Sequence, residues 1–472
     1  MIDATRGITG VDGIGFLAVI GLLLVVARRG ASSPDAYLVA GRSLGLTPLV
    51  ATLVMTEFNT STLLAFTAAG YRAGPMALAL PLVFLVGLGF YTLTVARAWK
   101  RFDRLSVAEL FSVRYSPALG RFVSVLLLLA MVGFSATYLK SLTLLLVPWT
   151  GPRDPWLVSG ILAAVTLLVV LRGGLTAVVR TDVVGFGLTA LMVGALYLIG
   201  RSGPTDVLPF PLSQRTVDPV AQWNAAALPF RFVTTLIVLT CFTYISAPWY
   251  GQKIFAARTE RIAFLGVGIA AVLVFLFYGL MVLAAAAFRA SGILLDDPQL
   301  VTSAMVARWF PQGVRGAGFG VLFVASLTTL SGVWSAMTAM AVADFGWHGG
   351  RTLPAQRGLT IAAGVICWLG ANLLGNNILD RLILANIPVA ALAFALLAGF
   401  HWPRATAAGA WASVVVGVGW GIGCYVVVGE SGGYTWPWAM YGIPLIFATG
   451  GAVSLLTARP KAELIEGAGG GP

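Results

Sequence analysis

Apolar residues recur along this chain in runs of about 18–25 positions, each long enough to cross the roughly 30 Å hydrocarbon core of a bilayer as a helix. The pattern predicts about thirteen spans, near 12–28, 45–68, 75–98, 119–147, 156–171, 181–199, 229–251, 263–287, 316–344, 357–375, 382–400, 407–428 and 438–457. Two of them are interrupted. In the second span, Met55-Thr56-Glu57-Phe58-Asn59-Thr60-Ser61-Thr62 sets polar groups and a carboxylic acid in the middle of the run. By itself that stretch reads as well as a polar loop between two short core helices of a soluble protein. Among so many spans, its groups must face protein, water, an ion or a solute, because hydrocarbon leaves them unsatisfied. In the seventh span, Ser246-Ala247-Pro248-Trp249 breaks the run with a proline that lacks a backbone donor. A proline kink with no ligand role is the alternative there.

Composition agrees with the spans. The chain is 58% hydrophobic and only 10% charged over 472 residues, too apolar for a soluble protein of this size. A net charge of +12 would suggest nucleic acid in a soluble domain, but in a membrane protein cations collect in cytoplasmic loops. Loops on one side carry Arg28, Arg29 and Arg42, then Lys100, Arg101, Arg104 and Arg114, Arg172 and Arg180, Lys253, Arg258 and Arg261, Arg351 and Arg357, Arg404, and Arg459 with Lys461. The positive-inside rule then puts the N-terminus outside and the C-terminus in the cytoplasm of a plasma (inner) membrane, which needs an odd number of spans. Arg201, Arg215, Arg289 and Arg315 run against it. The first span lacks a small-residue cleavage site and reads as a retained helix. The glycine-rich stretch after Pro460 is expected to be disordered.

Chemistry-bearing residues are few. Cys241, Cys367 and Cys424 lie in apolar spans without metal-ligand spacing and read as buried thiols. His348 and His401 read as solvated loop residues. No glycine-rich loop with Lys-Ser or Lys-Thr is present to cradle ATP phosphates, and nothing points to an enzyme.

Five segments then carry a family resemblance. They are Ala36-Tyr37-Leu38-Val39-Ala40-Gly41-Arg42, Leu105-Ser106-Val107-Ala108-Glu109-Leu110-Phe111, Gly173-Gly174-Leu175-Thr176-Ala177-Val178-Val179-Arg180-Thr181-Asp182-Val183, Gln252-Lys253-Ile254-Phe255-Ala256-Ala257-Arg258 and Trp402-Pro403-Arg404-Ala405-Thr406-Ala407-Ala408-Gly409-Ala410. In this order the chain resembles the sodium:solute symporter family, the sodium–glucose, sodium–proline and sodium–sialic acid cotransporters. The resemblance implies an all-α polytopic membrane protein of the LeuT type, with two inverted five-helix repeats, each beginning with a broken helix. A single transporter domain then divides into an extra N-terminal helix and loop (1–44), a first inverted repeat (45–200), a second inverted repeat (229–428), and a last helix with its disordered tail (429–472).

The resemblance also implies site residues. Sodium needs about five or six oxygens, which an unwound helix and hydroxyls supply. Alignment from Asp344 puts two adjacent hydroxyls at Thr328 and Thr329, with the carbonyls of Ala325, Met55 and Phe58 completing the shell. Adjacent threonines that simply bond back to the preceding turn are the alternative. Asp182 with Ser331 would hold a second sodium, although Gly332 stands where other members have a hydroxyl; a helix N-cap is the other reading of Asp182. Glu57, Asn59, Thr62, Thr240, Thr243 and Tyr244 would face the solute. The region Ala77–Leu82 lacks the acid or amide of sugar transporters, which favours an amino acid or carboxylate. Glu57 could meet a substrate ammonium, take up a proton, or pair with the intramembrane Lys140. The expected function is sodium-coupled symport of a small polar organic solute, with sodium, solute and bilayer as partners and no obligate protein partner. A proton-coupled or facilitative carrier and a non-transporting sensor are the rivals.

Overall fold

Helix is the only extended regular structure among the residues that the computed structural model describes, which are 9–150, 154–202, 228–345, 352–373, 384–430 and 432–460. His348, the tail beyond 460 and the longest loop fall outside them. We number the helices α1 Gly10–Ala27, α2 Pro34–Val39, α3 Leu46–Glu57, α4 Thr60–Ala73, α5 Ala79–Thr94, α6 Ala96–Phe102, α7 Glu109–Arg114, α8 Pro117–Thr150, α9 Pro155–Ser202, α10 Phe230–Tyr244, α11 Pro248–Ala256, α12 Glu260–Ala290, α13 Val301–Trp309, α14 Val314–Asp344, α15 Leu353–Leu373, α16 Asn386–His401, α17 Ala407–Val428 and α18 Thr435–Leu456. By length and apolarity alone, eight described helical runs qualify as membrane-crossing, with α4 and α5 counted as one run (Thr60–Thr94), and the bent pair α10–α11 makes nine.

Both expected interruptions are present. α3 gives way to α4 at Phe58 and Asn59, and α10 turns into α11 through Ile245–Ala247 with a bend of 49°. Pro248 occupies the first turn of α11, where its missing N–H costs nothing. The sequence before α3 and the one after α11 meet in an isolated parallel bridge, Leu44 to Ala257, in which the N–H of Leu44 donates to Ala256 O at 2.9 Å.

The expected spans 156–171 and 181–199 are not divided by a loop. They form one helical run, α9, of 48 residues, which would be about 72 Å long if straight and so more than twice the hydrocarbon thickness. Gly174 breaks it with φ 52° and ψ −137°, a conformation open to glycine. A Cβ there would fall 2.2 Å from the Tyr37 carbonyl oxygen. The Gly173-Gly174 motif is therefore a one-residue break in the helix, packed against α2.

α14 is the axis of the molecule: 94% of its most apolar window is buried, against 22% for α1 on the periphery. Glycines let those two helices touch, for a Cβ on Gly316 would lie 1.8 Å from the Asp12 carbonyl oxygen. At that contact Arg315 donates to Asp12 at 2.7 Å. One of the four cations that ran against the positive-inside pattern is thus neutralised inside the protein.

Candidate functional site

The first break has a definite local structure. Phe58 sits at φ −79° and ψ 80°, and the N–H of Asn59 reaches back to Glu57 O at 2.9 Å, so the helix ends in an inverse γ-turn. Asn59 restarts the helix as an N-cap: its Oδ1 accepts from Thr62 N at 3.0 Å, and its Nδ2 donates to Glu57 O at 3.0 Å. The Tyr278 hydroxyl donates to the same carbonyl at 2.5 Å. Thr60 and Ser61 tie α4 sideways: Thr60 N–H donates to Ser326 Oγ at 2.7 Å, and the Ser61 hydroxyl to Thr137 O at 3.1 Å. The Glu57 carbonyl, Thr60 and Ser61 are thus held from α12, α14 and α8 in turn.

The sodium residues named from the sequence converge on this turn. Thr329 Oγ1 donates to Met55 O at 2.9 Å and to Ala325 O at 3.0 Å, and Thr328 Oγ1 stands 3.3 Å from Ala325 O. Phe58 lies at the centre of the γ-turn, one turn beyond Met55. Back-bonding to α14 and contact with α3 are therefore one arrangement. Uncharged, hard oxygens gathered from two helices suit a small hard cation.

The second sodium set is built differently. Asp182 is fully buried about two turns past Gly174, inside α9, and is not an N-cap. Its Oδ2 accepts from the Thr52 hydroxyl, with the ammonium of Lys253 at 3.4 Å. Lys253 corrects the reading of the loop charges. It is buried on α11, donating to Thr52 O at 2.9 Å and to the Thr56 hydroxyl. The only sequence signal was a lysine at the end of an apolar run. Ser331 turns away and donates to Thr328 O at 2.9 Å.

On the other side of the turn lies Glu57. It is buried, its Oε2 accepts from the Tyr244 hydroxyl, and its Oε1 has no hydrogen-bond partner. Among the described residues no bridge joins Glu57 to Lys140, which is half-buried on α8. Thr243 Oγ1, Ser246 Oγ and the hydroxyls of Tyr91 and Tyr250 are likewise buried without a partner. Aromatic rings line the same region: Phe84 stacks on Tyr278 at 5.6 Å and meets Tyr244 edge-on at 5.9 Å, and Tyr250 lies 5.1 Å from Tyr91. Thr62 is buried beside the Tyr278 hydroxyl. Thr240 packs its methyl on Gly87 of α5, where a Cβ would fall 2.5 Å away. Sequence reasoning missed the aromatic lining, since aromatic residues in apolar spans look like core.

The model of the sodium:solute symporter family matches residues 37–417, most of the chain. The chain belongs to the sodium:solute symporter family. Curated proteins give no match. Among solved structures the symporter is similar to a Na+-coupled sialic acid symporter, described as a substrate-bound outward-open state that reveals a novel Na+ site. The TM-score is 0.77 at 15% identity, covering 96% of this chain and 99% of that one, a likeness in fold. The family's motifs have physical work here. Glu109 Oε2 accepts the N–H groups of Leu105 and Ser106 at 2.9 and 3.1 Å, which frees the Ser106 hydroxyl to donate to Asp344 at 2.7 Å. The Ser124 hydroxyl joins Asp344 at 2.6 Å. Gln252 Nε2 holds Leu38 O at 2.6 Å.

Proposed function

We propose that this symporter moves a small polar organic solute together with sodium, by alternating access, and that the solute carries a protonated nitrogen. The family supports sodium as the coupled ion. Met55, Phe58, Ala325, Thr328 and Thr329 would hold it, joining α3 to α14 across the γ-turn. An ion held there favours whichever conformation keeps the two helices together, and by linkage the solute then strengthens sodium binding by the same factor.

The observation that carries the solute class is the Glu57 carboxyl group, buried with one oxygen unpartnered among aromatic rings. Leaving such an oxygen unpaired is costly, and an ammonium would both satisfy it and lie against ring faces. Amino acids fit this best among small solutes. A carboxylate without an amine brings a second acid towards Glu57, and a sugar brings more hydroxyls than Thr243, Ser246 and Tyr250 offer. We further propose about thirteen crossings, the partition at 1–44, 45–200, 229–428 and 429–472, an external N-terminus and a cytoplasmic C-terminus in the plasma (inner) membrane.

Uptake into proteoliposomes tests the reading. Amines and amino acids are expected to enter faster under an inward sodium gradient, and the Thr328→Ala, Thr329→Ala double variant to lose that response. Uptake driven equally by a proton gradient alone would favour proton coupling, and binding without flux would favour a sensor.

A further inference from the structure

We propose that this symporter carries its second cation as part of the chain: the Lys253 ammonium fills the place beside Asp182, so one sodium ion accompanies each solute. The inference rests on the sodium-coupled reading above. Lys253 Nζ is buried from α11 among three oxygens, Thr52 O at 2.9 Å, the Thr56 hydroxyl and Asp182 Oδ2 at 3.4 Å. An ammonium has three N–H donors and no acceptor, so these oxygens exhaust it. They are also hard oxygens of the type a sodium ion would take, which makes Lys253 and a second sodium alternatives for one position.

With the ammonium in place, the oxygens left beside it, among them the unpartnered Asp182 Oδ1, do not complete a second sodium shell. Ser331 spends its hydroxyl on the Thr328 carbonyl within α14. Gly332 offers no side-chain oxygen, and a Cβ built there would lie 3.7 Å from Lys253 Nζ, so the missing side chain borders the ammonium. The Asp182 charge is already balanced by Lys253, and a further cation at the same carboxylate would meet an unscreened like charge. The Met55–Thr329 contact does not involve Lys253, whose partners are Thr52 O, the Thr56 hydroxyl and Asp182.

Equilibrium binding of radioactive sodium to the purified full chain in lipid nanodiscs tests this directly. Wild type is expected to bind one sodium per chain, with a Hill coefficient near one for sodium-stimulated uptake. Lys253→Met leaves Asp182 without its partner and is expected to double the sodium bound per chain. The Asp182→Asn, Lys253→Met double variant, uncharged at both positions, returns the count to one. A purely structural ion pair would leave the count unmoved in every variant, and Lys253→Met that folds yet still binds one overturns the proposal. Should Lys253→Met fail to fold, Lys253→Ala takes its place, with the same doubling expected and an unmoved count overturning the proposal. Two sodium ions on wild type overturn this inference and leave the symport reading standing, whereas none on wild type overturns both.

Discussion

The hydroxyl of Thr329, on the central helix α14, stands 2.9 Å from the carbonyl oxygen of Met55 at the end of α3. Its other partner, Ala325 O, belongs to its own helix at 3.0 Å. One hydroxyl thus joins a helix that stays whole to a helix that stops, and the joint sits where the backbone has surplus carbonyls.

Thr329→Ala removes that joint and one oxygen of the proposed ion shell. We expect the half-saturating sodium concentration for uptake to rise roughly tenfold, about 1.4 kcal/mol, the range of one hydrogen bond. Thr329→Ser, which keeps the oxygen, should stay near wild type. An unchanged sodium dependence in Thr329→Ala would remove this residue from the site.

Glu57→Gln keeps an oxygen for the Tyr244 hydroxyl and removes the charge. Affinity for an amine solute should fall by about 2–5 kcal/mol, as when one member of a buried charge pair is neutralised, while thermal stability holds or rises. Tyr244→Phe does the opposite: it leaves the second carboxyl oxygen unpartnered and should lower stability by about 1–3 kcal/mol. Thermal unfolding and solute binding, measured on both variants, separate the two roles.

Asp12 and Arg315 join α1 to α14 in a buried pair at 2.7 Å. Either Asp12→Leu or Arg315→Met alone should cost about 3–5 kcal/mol, because the remaining charge is stranded. The two together should cost far less than their sum, a coupling readable by double-mutant comparison of thermal inactivation. Additive losses would show that the pair does not act as a unit.

Gly174→Ala places a Cβ in a left-handed backbone and drives it onto the Tyr37 carbonyl. Holding a non-glycine residue in this sparsely populated region costs about 1–3 kcal/mol, and the clash adds to it, so a sharp drop in the yield of folded, monodisperse protein is expected. A normal yield would mean that α9 can break in another way.

The two helix breaks were legible because each leaves a local mark, a polar cluster in one apolar run and a proline in the other. Thr328 and Thr329 were legible only through Asp344, which fixes their place along α14. Glu57 was recognisable as a costly residue, but its partner Tyr244 lies across the molecule on α10, and no periodicity links them. Lys253 misled for a physical reason. A lysine at the end of an apolar run looks the same whether its stem carries the charge out to water or turns it inward. The turn of α11 by 49° against α10 accompanies the inward choice, and that angle is a tertiary property. The expected spans 156–171 and 181–199 left a gap around Gly173-Gly174, and nothing in the apolar pattern shows that helix runs up to Gly174 from both sides.

Lys253 is tethered, and this separates two quantities that usually travel together: the charge that organises a binding site and the charge that crosses the membrane. A sodium ion beside Asp182 would be released inside and would draw on the membrane potential, worth about 2.3 kcal/mol per charge at 100 mV. An ammonium on a side chain holds α3, α9 and α11 together but is never delivered. The symporter would gain the order of a two-cation site with the driving force of a single ion. The steepest solute gradient it can sustain would then be correspondingly shallower, and its cycle less sensitive to voltage.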